Sequence, residues 1–413
     1  MQKLLTYSTL LVAFWTSHQA FSQDQGFMYG RVTTIDGKTF EGALRWGKEE
    51  AYWTDMFNAS KDENENLDFL SRDEIEELED RRRTFIGRNN GWVNVSWTWD
   101  DDDNEFVHQF ACQFGEIKTI RPTRRQGAEV TMQSGLTYDL DGNGYNDINT
   151  DIKVVDSELG TIEIDWDRIE LIEFKETPSR LTEKFGEPLY GKVETSEGVF
   201  TGFVQWDHDE RVSTDKLDGD TEDGDVSISF GKIKSIERYG SSRSVVILNS
   251  GRELELRGSN DVNDENRGII IAVDGIGRVD VPWDEFEKVT FLDAPDSGPA
   301  YSSFSKQPRI TGTVELRNGD EFSGELIYDL DEAYQFEVLQ GMLDDVEMII
   351  PFKNIRNITP RNYDNCTVTL NNGDKFLLGD SQDVSDKNQG VLVKKGGEIM
   401  YFPFEDVEQI TFN

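Results

Sequence analysis

Thr311-Gly312-Thr-Val314-Glu-Leu-Arg-Asn-Gly319-Asp-Glu-Phe322-Ser-Gly324-Glu-Leu326-Ile-Tyr328 reads as two short strands around a glycine turn. Apolar residues alternate on either side of the turn, the period expected of half-buried strands. The chain writes this hairpin twice more. Tyr29-Gly30-Arg-Val32 runs through Gly37, Phe40 and Gly42 to Trp46, and Tyr190-Gly191-Lys-Val193 runs through Gly198, Phe200 and Gly202 to Trp206.

Each hairpin leads to a shared ending: Phe114-Gly-Glu-Ile117-Lys-Thr-Ile120, Phe230-Gly-Lys-Ile233-Lys-Ser-Ile236 and Phe352-Lys-Asn-Ile355-Arg-Asn-Ile358. A related unit follows, opening at Val130, Val246 or Val368. It closes with Trp166-Asp-Arg-Ile169, Trp283-Asp-Glu-Phe286 or Phe404-Glu-Asp-Val407. Apolar residues three apart do not suit a strand. They suit one helical turn that leads into a last strand. The expectation is an all-β chain of three tandem modules, each of two small units. The Val314–Leu326 start and the Pro351–Ile358 ending resemble Sm-like or SH3-like small β-barrel repeats of exported bacterial proteins. That resemblance implies an architecture and no activity. A six-bladed β-propeller is the alternative, since a blade also takes four strands in 40–50 residues. The helical turn favours barrels.

The boundaries follow from Pro, Ser and Gly content and loss of periodicity. Module 1 spans 28–176, module 2 189–294 and module 3 309–413, with linkers at 177–188 and 295–308. An insertion in module 1, about 58–105, carries a helix expected over Arg72–Arg83. Ser71 and Glu74 stand at capping-box spacing at its start.

Residues 1–22 read as a secretory signal: Lys3, an apolar stretch to Trp15, then Ala20-Phe21-Ser22 with small residues at the cleavage positions. No later segment has the apolar length of a membrane span. The expected location is periplasmic or extracellular. With 81 acidic against 42 basic residues the net charge is −39, which argues against sequence-independent binding to nucleic acid. Cys112 and Cys366 occupy non-equivalent positions, so two buried single thiols are expected rather than a bridge. Three His and two Cys leave few parts for zinc or His-based catalysis.

Asp139-Leu-Asp141-Gly-Asn143-Gly144-Tyr145-Asn-Asp147 offers hard oxygens at alternate positions of a tight loop, the pattern calcium needs. It lacks the closing Glu of an EF-hand and is similar to the calcium loops of FG-GAP-type repeats. That similarity implies a calcium ion held by Asp139, Asp141, Asn143, Tyr145 and Asp147. Turn chemistry without a metal explains the same residues, because loops at 258–268 and 379–390 keep the Asp and Asn without the full set. Asp264 and Asp386 read as the counterparts of Asp147. Trp97 and Trp99 alternate on one strand and offer a platform for sugars, or core. Trp166, Trp206 and Trp283 recur, which favours packing. The acid-rich segments after Trp206 and Tyr328 single out no catalytic pair. His108 and His208 have no nucleophile signature beside them.

The reading is an exported, acidic, non-catalytic repeat protein with a binding or structural role, with calcium as a possible stabiliser. A carbohydrate-binding accessory module is the alternative, and a carboxylate-dependent hydrolase the third.

Overall fold

The computed structural model describes residues 24–61, 65–76, 78, 108–142 and 144–413. The chain is nearly all β. Module 1 supplies β1 (Tyr29–Thr34), β2 (Thr39–Trp46), β3 (Met56–Lys61), β4 (His108–Gln113), β5 (Ile117–Arg124), β6 (Gly127–Met132), β7 (Thr137–Asp141), β8 (Ile152–Asp156), β9 (Gly160–Ile164) and β10 (Ile169–Phe174). In module 2, β11–β20 are Tyr190–Thr195, Gly198–Trp206, Lys216–Thr221, Gly224–Ser229, Ile233–Arg238, Arg243–Leu248, Glu253–Arg257, Ile269–Val273, Gly277–Val281 and Phe286–Phe291. In module 3, β21–β30 are Thr311–Leu316, Glu321–Tyr328, Val338–Leu343, Val346–Pro351, Ile355–Pro360, Asn365–Leu370, Lys375–Gly379, Val391–Lys395, Glu398–Phe402 and Val407–Phe412. All three expected hairpins form: β1–β2, β11–β12 and β21–β22.

The strands of module 1 lie in the order β4-β3-β7-β6-β5-β10-β1-β2-β8-β9. Two five-strand halves meet where Ile120 on β5 faces Ile172 on β10. Each half mixes the two sequence units. The first hairpin, β1–β2, takes its neighbours β8 and β10 from the second unit. The second hairpin, β6–β7, takes β3 and β5 from the first. Modules 2 and 3 repeat these exchanges: β12 pairs β18 and β11 pairs β20, then β22 pairs β28 and β21 pairs β30. The sheets stay open. Closed barrels in chain order, and separate propeller blades, are both corrected by this. Sequence pattern fixes where strands are and which face is apolar. Two units with equivalent strands offer a hairpin equivalent partners, and only the pairing decides between them.

The helical turns form where expected. Five of the six endings are 3-10 turns, at Phe114–Glu116, Trp166–Arg168, Phe230–Lys232, Phe352–Asn354 and Phe404–Asp406. Each drops an aromatic ring into the core ahead of the last strand. Trp46 packs 5.1 Å from Phe114, Trp206 6.3 Å from Phe230 and Tyr328 5.3 Å from Phe352, by ring centroids. Trp166, Trp206 and Trp283 are all buried, as repetition suggested.

Paired glycines let the strands approach. Gly30 faces Gly42, Gly191 faces Gly202 and Gly312 faces Gly324. A Cβ on Gly30 would stand 2.5 Å from the Glu173 carbonyl oxygen, and one on Gly42 would run into that of Val155. Backbone oxygens cannot rotate away, so these sites exclude side chains.

The modules are bolted together. Strand β19 pairs with β24, making one 20-stranded sheet of modules 2 and 3. The segment 295–308 reads as a linker but packs on module 1: Tyr301 donates to the Ile117 carbonyl at 2.8 Å, and its ring lies 4.6 Å from Trp53. The insertion opens after β3, so Asn58–Lys61 belong to that strand. Its capping box forms: the Ser71 N–H donates to Glu74 Oε2 at 2.6 Å and the Glu74 N–H to Ser71 Oγ at 3.3 Å. The helix is described over 72–76. Leu67, Leu70, Ile75 and Leu78 lean on Ile327, Leu330 and Leu392 of module 3. Cys112 and Cys366 are free, buried thiols.

Candidate functional site

The chain turns sharply after the second strand of each first hairpin, at Trp46–Glu50, Trp206–Glu210 and Tyr328–Glu332. The aromatic residue and the glutamate close each loop in both directions: Trp206 N–H donates to the Glu210 carbonyl at 2.8 Å, and Glu210 N–H to the Trp206 carbonyl at 2.9 Å. The residue after the aromatic must adopt positive φ. It is Gly47 (57°), Asp207 (50°) or Asp329 (49°). Asp tolerates this region better than most side chains.

A second acid reaches each turn from the loop between the seventh and eighth strands of the module. Asp147, Asp261 and Asp383 accept from the backbone N–H of Asn58, Asp218 and Gln340 at 2.6, 2.6 and 2.7 Å. Their carbonyls accept from Trp46 Nε1, Trp206 Nε1 and Tyr328 Oη at 2.8, 2.9 and 2.5 Å. These shared bonds make Asp261 and Asp383 the counterparts of Asp147. The expected Asp264 and Asp386 lie three residues further on, because Asp147 stands five residues before its eighth strand, whereas Asp261 and Asp383 stand eight before theirs.

The result is an acid cluster in each module. In module 2, the carboxylates of Asp207, Glu210 and Asp261 have oxygens within 4.8 Å of one another. Burial, reinforced by Asp261, Asp209 and Asp207, pushes Glu210 up to about 9, and burial lifts Asp261 to about 6. In module 3, Asp329, Glu332 and Asp383 stand together, all raised first by burial, Asp383 to about 7. Module 1 has Glu50 and Asp147 but Gly47 in place of the third acid. Burial raises both, with the neighbouring Asp147 charge adding to the rise of Glu50.

A further acid five residues after each glutamate does a different job. Asp55, Asp215 and Glu337 each accept from two successive backbone N–H groups, as Asp55 does from Ala51 and Tyr52 at 2.8 and 2.9 Å. Each also meets a cation from another module. Arg211 reaches Asp55 at 2.8 Å, Arg45 reaches Asp215 at 2.7 Å, and Lys61 reaches Glu337 at 3.3 Å and Asp331 at 2.9 Å. Lys353 bridges to Glu116 at 3.0 Å. Sequence reading missed this row, although acids at 55, 215 and 337 all follow the aligned glutamates by five.

The calcium loop is placed differently from its pattern. Asp139 is exposed on β7, Asp141 pairs with Arg124, and Asp147 turns to Asn58. The Tyr145 N–H donates to the Gly142 carbonyl at 3.0 Å. Asn143 lies outside the described residues. Asp139, Asp141 and Asp147 do not form a metal-sized group among the described residues. Trp97 and Trp99, and residues 1–22, also lie outside the described residues. His208 meets Asp280 at 3.0 Å, close to the seam of β19 and β24.

Comparison with known proteins returned no match: no family model, curated protein or solved structure is significantly similar to the chain.

Proposed function

We propose that the chain is an exported, acidic, non-catalytic scaffold whose three modules act as one block, presenting its surface to a partner in the periplasm or extracellular space. The observation that carries this reading is where the buried acids go. Asp55, Asp215, Glu337 and Glu116 are each held by a cation from another module, and three of them also cap a turn. A carboxylate fixed on a guanidinium and two backbone N–H groups is poorly placed to exchange a proton with a substrate. Its work is to hold one module's turn against the next. The high negative charge keeps such a block dispersed and away from anionic surfaces.

Expression of the full precursor in a bacterial host, beside a form lacking residues 1–22, tests the reading. The precursor should leave the cytoplasm and begin at Gln23, and the mature chain should turn over none of a panel of glycoside, ester and peptide substrates. Retention of the precursor, or a turnover abolished by an Asp→Asn change in a folded chain, contradicts it.

A further inference from the structure

We propose that Lys61 and Asp331 join as an amide, a covalent cross-link between modules 1 and 3, with Glu337 relaying the proton. The bond depends on neither export nor the scaffold reading. Lys61 Nζ lies 2.9 Å from Asp331 Oδ1 and 3.3 Å from Glu337 Oε1. The Asp331 carboxyl carbon is one bond beyond Oδ1, close to the separation of about 3–3.5 Å from which atoms react. The three side chains are enclosed, at 13%, 10% and 6% exposed. Two aromatic rings wall the amine, Phe110 at 5.7 Å and Tyr138 at 5.9 Å from Nζ to the ring centres.

The other modules show what is particular here. Asp55, Asp215 and Glu337 occupy equivalent positions, yet the first two meet Arg211 and Arg45 and only the third meets a lysine. A guanidinium stays protonated and is no nucleophile, whereas a lysine amine is one. Of these three cations Lys61 alone pairs with two carboxylates among the described residues. Two are what the reaction needs, one to be attacked and one to carry a proton. Lys353, the other lysine bridging modules at Glu116, is 35% exposed and pairs with a single carboxylate.

Burial works against the Lys61 charge, and the Asp331 and Glu337 charges outweigh it, so the ammonium persists until its proton moves. Burial also raises Glu337, which readies it to take that proton. Its Oε2 stays on the Ala333 and Tyr334 N–H groups, leaving Oε1 to face Nζ. The freed Nζ lone pair then attacks Cγ of Asp331 and forms the C–N bond. One Cγ–O bond breaks, and its electron pair leaves with the oxygen. Of the three Nζ protons one remains on the amide and two depart with that oxygen as water. Glu337 takes up a proton, returns it to the leaving oxygen and ends as it began. A cavity of about 130 Å³ beside the three residues gives the water a way out.

Peptide mapping by mass of the purified full chain tests this. The expected result is a branched peptide that holds residues 61 and 331 and is lighter by one water than its two parts. Lys61→Arg keeps the charge and should restore the full mass, and its denatured chain should run differently on a gel, because the loop from 61 to 331 is no longer closed. Glu337→Gln, checked for folding by circular dichroism, should leave most of the chain unlinked. A parent of full mass whose residues 61 and 331 fall on separate peptides overturns the proposal whatever the variants do. Complete linking in Glu337→Gln, or a link from Lys61 to Glu337 itself, overturns the roles assigned.

Discussion

Arg211→Ala removes one side of an ion pair that joins modules 1 and 2. The side chains of Arg211 and Asp55 are only 2% and 5% exposed. The guanidinium gives Nη2 to Asp55 Oδ1 at 2.8 Å and Nη1 to the Val204 carbonyl at 2.9 Å, and it lies 4.6 Å from the Tyr52 ring centre. Alanine leaves Asp55 buried with only its Ala51 and Tyr52 N–H partners, and it leaves a cavity beside Tyr52. Breaking such a pair from one side costs about 3–5 kcal/mol. Arg31–Glu41, with side chains 43% and 37% exposed, is the control and should cost at most about 1 kcal/mol. Urea unfolding followed by tryptophan fluorescence reads both, because Trp53 lies two residues from Asp55. A cycle with Asp55→Ala separates the pair from the turn that Asp55 caps. A loss below about 1 kcal/mol for Arg211→Ala would refute the claim that this pair fastens the modules.

Gly42→Ala and Gly202→Ala should each cost about 1–3 kcal/mol or more, since the added carbon meets a backbone oxygen of the next strand; Gly135→Ala, where a Cβ meets nothing within 4 Å, tests positive φ without the clash. In chelator, stability should fall as pH rises from about 4 to 7. Asp383 and Asp147 are each raised to about 7 by burial, so folding favours their protonated forms, and that contribution is lost as pH passes through the folded value. Asp383→Asn should flatten that slope in denaturant titrations, and a parent whose stability rises over this range would contradict the burial argument. Cys112 and Cys366, both buried with thiols raised by burial, Cys366 to about 12, should resist a thiol reagent when native and yield two thiols in denaturant.

Strand positions could be read from the chain because each rests on local rules. Alternating apolar residues mark the hairpins, and Phe352, Ile355 and Ile358 mark a helical turn running into a strand. Ser71 and Glu74 mark a helix start. Partner choice could not be read. Val32 pairs with Ile172 of the second unit rather than with its own unit's last strand, and nothing in either strand's pattern separates the two. The acid clusters were half visible. The run from Trp206 to Glu210 stood out, but the third member, Asp261, comes from a loop 51 residues after Glu210. The calcium pattern led to Asp139 and Asp141, whose side chains alternate along a strand, with Asp141 taken by Arg124. Asp147 alone joins an acid cluster.

Exchange of strands between the two units of each module underlies the interlocked block, and a cross-link tests it most directly. Glu325 on β22, exposed, lies opposite Lys394 on β28, half-buried. Directly opposed strand residues stand close enough for a disulfide. Glu325→Cys/Lys394→Cys, oxidised in the folded state and mapped by peptide mass, should give a 325–394 bridge in a chain that keeps its native unfolding midpoint or exceeds it. Two free thiols at these positions in the folded, oxidised protein would place β22 beside strands of its own unit and contradict the account.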